Sequence, residues 1–180
     1  MTHGHRHITK LAAVLVAAAL DCFALDRYAD VQPQPAKPGQ ERRRIVVSIP
    51  DRKLALLEDG RVLKLYDVAV GKPSTPTPRG TFAVINRVPH PTWFGPNGAV
   101  PPGKDNPLGT RWMGLSSPHY GIHGTNAPAS IGHAASHGCI RMRQQDLEEL
   151  FDLVTVGTVV ELQGEPTELL AKVFSVSDSK

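Results

Sequence analysis

The chain is 180 residues long, carries a formal net charge of +3 and holds 16 glycines and 16 prolines. That length gives room for one domain of ordinary size with a core that folds without staples. The small charge leaves out the dense basic stripe that nucleic-acid binding needs, and the short run Arg42-Arg43-Arg44 reads as a solvated patch ahead of the first strand.

The amino terminus is expected to lie outside the fold. Arg6 and Lys10 precede an unbroken apolar run from Leu11 to Leu20, which Asp21 then interrupts. The run is short for a bilayer span and has the form of a signal-peptide h-region. Residues 1–24 are therefore read as an export signal. Cleavage falls after Ala24 or near Ala17-Ala18-Ala19, and an uncleaved anchor is the alternative. Cys22 follows the apolar run as a lipoprotein acceptor would, but Asp21 stands where such sites take a small neutral residue. Membrane contact is expected only through this segment. Residues 25–43, with Gln32-Pro33-Gln34-Pro35-Ala36-Lys37-Pro38-Gly39, read as a proline-rich linker.

A domain is expected over residues 44–163. Ile45–Ile49 is a β-branched run and predicts a strand. Lys53–Glu58 and Arg61–Val70 flank Asp59-Gly60, the strongest short hairpin signal. Gly71–Gly80 holds three prolines and predicts a loop, and Thr81–Val88 a fourth strand. Pro89–Pro107, with His90, Trp93 and Phe94, reads as a long excursion of the functional kind. Its aromatics, and Trp112, are read as packing residues. Arg111–Ser116 and Tyr120–Gly124 predict short strands. Leu147, Leu150, Phe151 and Val154 fall on one helical stripe, with Gly157 as its stop and Thr158–Leu162 as a closing strand. Residues 164–180 are read as a tail.

The chemistry concentrates in two segments, Gly121-Ile122-His123-Gly124-Thr125-Asn126 and Ser136-His137-Gly138-Cys139-Ile140-Arg141. A thiol with a histidine base, glycine N–H donors and a cation is the equipment of a covalent catalyst. If Gly138–Met142 enters a strand, His137, Cys139 and Arg141 share one face toward a cleft, while Ile140 and Met142 face the core. The surrounding groups are of the type that lowers a thiol pKa. His123, flanked by glycines and read as accessible, is the best base. His133 and His137 compete with it, and His137 suits a support role in the loop or oxyanion pocket. Ser136, Gly138 and Gly124 are placed with it in that support. Arg141 is typed for a substrate carboxylate. The set His123, His133, His137 and Cys139 matches no zinc spacing, so no metal or other cofactor is expected.

These residues closely resemble the L,D-transpeptidase family, the YkuD-like catalytic domain. Its signature of a histidine, a spacer and Ser/Thr-His-Gly-Cys, then an apolar residue and Asn or Arg, reads here as His123 and Ser136-His137-Gly138-Cys139-Ile140-Arg141. Thr75-Pro76-Thr77-Pro78-Arg79-Gly80-Thr81-Phe82 and Asn106-Pro107-Leu108-Gly109 extend the likeness. The resemblance implies a mostly β fold, a sandwich of two mixed sheets with one or two helices. It implies Cys139 as nucleophile, His123 as base and peptidoglycan stem peptides as substrate, in the periplasm or cell wall. It also implies a cross-linking acyl transfer. The alternatives are a carboxypeptidase, a cysteine peptidase or amidase, and a wall-binding module without chemistry.

Overall fold

The computed structural model describes residues 43–165, together with residues 1 and 171. The expected export signal, all of the linker but its last residue, and most of the tail lie outside the described residues. The described part is mostly β, with eleven strands and one α-helix. In chain order the strands are β1 (Arg43–Ser48), β2 (Lys53–Glu58), β3 (Arg61–Gly71), β4 (Gly80–Pro89), β5 (Trp93–Gly95) and β6 (Gly98–Val100). They continue with β7 (Arg111–Leu115), β8 (Gly121–His123), β9 (Ala134–Ser136), β10 (Ile140–Met142) and β11 (Val159–Gln163). The helix α1 spans Gln144–Leu153.

Nine strands form one sheet in the order β10-β8-β7-β4-β11-β1-β2-β3-β9, and β10 also pairs with β3. That extra pairing closes the sheet on itself, so the expected two-sheet sandwich describes this fold only loosely. Strand β3 makes the closure possible by its length of 11 residues. Its first part pairs with β2, Val68 and Ala69 pair with β10, and Val70 and Gly71 pair with β9. The β2–β3 connection is tight because Asp59 and Gly60 both take positive φ, 49° and 80°. Those angles suit the mirror-image turn whose twist matches that of the strands it joins.

Strand β1 lies centrally and is buried on both faces, as its Ile-Val-Val run requires. Ile45 and Val47 face the main core, while Val46 joins Ala55 and Leu57 in a smaller outer cluster. Leu147, Leu150 and Phe151 of α1 enter the main core beside Met113, Ile122, Ile140 and Met142. The helix ends at Leu153 with Val154 extended, so Gly157 is not its stop. Gly157 instead serves the turn before β11, with φ 92°. The Pro89–Pro107 excursion contains the β5–β6 hairpin, which strands of three residues do not announce in sequence.

Candidate active site

Strand β8 carries His123 and strand β10 carries Arg141, and the two strands pair in parallel with Arg141 opposite His123. Cys139 immediately precedes β10. The two sequence segments that held the chemistry are thus neighbours in the sheet. The guanidinium of Arg141 acts electrostatically on both His123 and Cys139, which places all three in one local field.

His123 is 5% exposed, not accessible as its glycine neighbours suggested. Its ring stacks on Trp112 at 5.7 Å between centroids, so this indole has a place at the site besides packing. Gly121 makes room for the indole, since a Cβ there would lie 2.6 Å from it. Nδ1–H of His123 donates to the carbonyl of Gly124 at 2.6 Å, leaving Nε2 as the unprotonated nitrogen. Burial holds the imidazole down to about 4, against a smaller upward pull from the Gly124 carbonyl; Arg141 adds to the lowering. At neutral pH the ring is a neutral base.

Cys139 is half-buried, and its thiol donates to the carbonyl of His119 at 3.6 Å. His119 sits in the left-handed region, φ 69°, which turns that carbonyl toward the sulfur. Burial pushes the thiol up, and the Gly121 N–H and Arg141 only partly oppose it. The acidic thiol expected from the neighbouring residue types is therefore not found: desolvation outweighs both stabilising groups.

The turn before β10 is set by Ser136. Its hydroxyl donates to the Cys139 carbonyl at 2.6 Å and accepts the Gly138 N–H at 3.0 Å. The Gly138 N–H, expected at the oxyanion, is thus committed inside the turn. Gly138 has φ 110°, and a Cβ there would lie 2.5 Å from the Tyr120 ring. That angle is not a strand angle, so the alternation expected from Gly138 onward starts only at Ile140, with Ile140 and Met142 buried and Arg141 half-buried. His137 and His133 are exposed, and no hydrogen bond of the His137 ring supports the turn among the described residues. The loop after β3 forms one wall: Lys72 N–H and Thr75 Oγ1 both donate to the Ser136 carbonyl.

Arg141 has no carboxylate partner among the described residues; the ion pairs there all involve other cations. No group of three or more histidine, cysteine or acidic side chains is gathered for a metal there. Phe94, read as packing from sequence, is 80% exposed. Tyr120, His119 and Asn106 were not singled out as site residues, although Asn106 stands in a motif that the resemblance marked.

The profile of the YkuD L,D-transpeptidase catalytic domain matches residues 42–162. A Bacillus licheniformis protein named as the L,D-transpeptidase YkuD is 47% identical over 119 residues, 66% of this chain and 64% of its own length. The Bacillus subtilis protein of the same name is 47% identical over 116 residues, 64% of this chain and 63% of its own. The chain thus spans less than two thirds of the length of these relatives. Among solved structures, an L,D-transpeptidase of Enterococcus faecium is 29% identical with a TM-score of 0.59, covering 68% of this chain and 50% of its own. By the profile match, with the relatives and the fold in agreement, this chain belongs to the YkuD L,D-transpeptidase catalytic-domain family.

Proposed function

We propose that the domain is an exported cysteine L,D-transpeptidase that acts on peptidoglycan stem peptides, with Cys139 as nucleophile and His123 as general base. The observation that carries this reading is the arrangement on β8 and β10. A half-buried thiol and a buried neutral imidazole lie in the field of an arginine that no carboxylate among the described residues neutralises. The names of the relatives support the same class. The apolar run at Leu11–Leu20 supports export to the periplasm or cell wall.

The reaction runs in two acyl transfers. Nε2 of His123 takes the thiol proton as Sγ of Cys139 bonds to the carbonyl carbon of an L-to-D peptide bond in a tetrapeptide donor. The negative charge that develops on the carbonyl oxygen needs a donor already in place. With the Gly138 N–H engaged by Ser136, that task falls to the Cys139 N–H. The C–N bond breaks, the imidazolium returns its proton to the departing D-alanine amine, and a thioester remains on Cys139. An acceptor amine on a neighbouring stem then attacks the thioester and loses its proton to His123, which hands it to the departing thiolate. Arg141 holds a donor carboxylate, where a planar guanidinium binds better than an ammonium. No step requires a metal or organic cofactor.

The test is incubation of the domain with tetrapeptide muropeptides, with intact-mass analysis of the protein and mass analysis of the products. A thioester adduct on Cys139 and cross-linked dimers are expected. An adduct with hydrolysed stems alone would make the domain a carboxypeptidase. Stems left unchanged with no adduct would overturn the enzymatic reading in favour of a wall-binding module.

A further inference from the structure

Behind His123 lies a string of hydrogen bonds that begins at Asn106. This asparagine is 1% exposed, at the end of the Pro89–Pro107 excursion. Its Nδ2 donates to the carbonyls of Pro91 at 2.8 Å, Val100 at 3.1 Å and Pro101 at 3.1 Å. Its Oδ1 accepts the Leu108 N–H at 2.8 Å. Three carbonyls on one side and an N–H on the other leave the amide a single orientation. The Leu108 carbonyl then accepts the Gly124 N–H at 2.8 Å, and the Gly124 carbonyl accepts Nδ1–H of His123 at 2.6 Å. The backbones of the two segments touch. A Cβ on Gly109, where φ is 65°, would lie 2.8 Å from Gly124 Cα, and one on Gly124 would lie 3.0 Å from Gly109 Cα.

We propose that Asn106 is a positioning residue for the reaction: its amide oxygen fixes Leu108, Leu108 fixes Gly124, and the Gly124 carbonyl holds His123 with Nδ1 protonated and Nε2 free to take the thiol proton. The proposal rests on the reading of His123 as the base. A cysteine–histidine pair needs a third group to orient the imidazole. Here that group is a backbone carbonyl, and a carbonyl is only as well placed as the segment that carries it. Gly124 follows the last residue of β8 and has no side chain of its own to pack, so the placement of its carbonyl leans on the Leu108 contact. Asparagine suits the position because one small planar group supplies two donor hydrogens and an acceptor. The two sides of the amide have separate tasks, the nitrogen gathering the excursion and the oxygen reaching toward His123.

That separation makes the proposal testable against a purely structural clamp. Asn106→Ala removes both sides, whereas Asn106→Asp keeps the acceptor and removes the donors. Val47→Ala, in the core at β1 and away from β8 in the sheet order, controls for lost stability. Four quantities are read: the His123 ring tautomer by nitrogen-15 NMR, the rate of Cys139 alkylation by iodoacetamide, kcat and KM on tetrapeptide stems, and the urea midpoint. Asn106→Ala is expected to mix the two tautomers and to slow alkylation and kcat about tenfold, with KM within about twofold. Asn106→Asp is expected to keep the Nδ1–H tautomer and near-parental rates while its urea midpoint falls. Val47→Ala is expected to lose stability alone. A single Nδ1–H tautomer with parental alkylation in Asn106→Ala would overturn the proposal and leave Asn106 a loop clamp. Where that variant does not fold, Asn106→Asp decides, and a mixed tautomer there overturns the role of Oδ1. Stems left untouched by the parent, with tautomer and alkylation behaving as stated, would defeat the transpeptidase reading and leave the positioning role standing.

Discussion

Lowering the pH from 7 to 4 protonates an imidazole in the unfolded chain near 6.5 but leaves the buried ring of His123 neutral until about 4. The folded value lies below the unfolded one. The contribution of His123 to stability is therefore full above 6.5 and is lost as the pH falls from there through 4. At about 1.4 kcal/mol per pH unit, the loss between pH 7 and pH 4 is about 3 kcal/mol, a large part of the stability of an ordinary domain. Glu148 and Glu149 add to the acid loss, because hydrogen bonds from Thr110 and Lys64 respectively hold them below the usual carboxylate range; burial moves Asp146 the opposite way. Cys139 has no part in this window, since its folded value is raised and its contribution is lost only in alkali. The comparison that isolates the histidine is His123→Gln, which retains every carboxylate. Urea denaturation followed by tryptophan fluorescence at pH 7, 6, 5 and 4 should show the parent losing about 3 kcal/mol more than the variant across that range. Parallel losses in the two proteins would refute the reasoning, and an NMR titration placing His123 near 6.5 would do so directly.

The remaining expectations concern the turn and its cation. Cys139→Ala should abolish thioester formation and turnover while changing the urea stability by no more than about 1 kcal/mol, since a small half-buried group is removed. Alkylation of Cys139 by iodoacetamide should climb steadily with pH through the neutral range, because burial keeps the thiol protonated there; a rate already level below pH 7 would mean a preformed thiolate. Gly138→Ala should cost at least about 1–3 kcal/mol from its φ alone and more from the Tyr120 ring, and should suppress alkylation by displacing Cys139. Pairing it with Tyr120→Ala should recover only the steric part. Arg141→Ala should lower kcat/KM on stem peptides about 10–150-fold, the worth of a charge-assisted hydrogen bond, with alkylation by the neutral reagent changing far less. Stem processing at the parental rate would remove the carboxylate role.

What could be read from the sequence divides along local and non-local lines. The Asp59-Gly60 turn, the β-branched β1 and the Leu147–Leu150–Phe151 stripe are set by neighbours in the chain, and each stands where expected. Strands β5, β6 and β9 have three residues apiece, too few for alternation to register, and the closing β10–β3 pair joins segments some seventy residues apart. The site divides in the same way. Residue types and spacing pointed to Cys139, His123 and Arg141, and the fold brings all three together. The burial of His123 was missed because its glycine neighbours suggested openness, whereas those glycines admit the Trp112 ring and the Leu108–Gly109 backbone. The Gly138 N–H likewise sits in a turn braced by Ser136 and not at the expected oxyanion, a matter of one positive φ that residue type alone permits but does not require.

The two pKa shifts bear on what Arg141 is for. Burial moves the imidazole down and the thiol up, so the pair rests as thiol and neutral base with a wide gap between them. Arg141 lowers both values, and the thiol-to-imidazole proton transfer depends on their difference. A cation that stabilises the thiolate also destabilises the imidazolium, so its two effects on that difference oppose each other. It is therefore poorly suited to forming an ion pair at rest. Its charge, half-buried and without a carboxylate partner among the described residues, is better suited to an incoming anion. A carboxylate bound there would offset the guanidinium charge and relieve its downward pull on both groups, raising the imidazole and the thiol together. A thiol that donates to the His119 carbonyl at rest fits the proposed mechanism, in which the proton would leave the sulfur only as a carbonyl carbon receives the electron pair. A cysteine held as the thiol is also the form least open to attack by oxidants, because the thiolate is the reactive species.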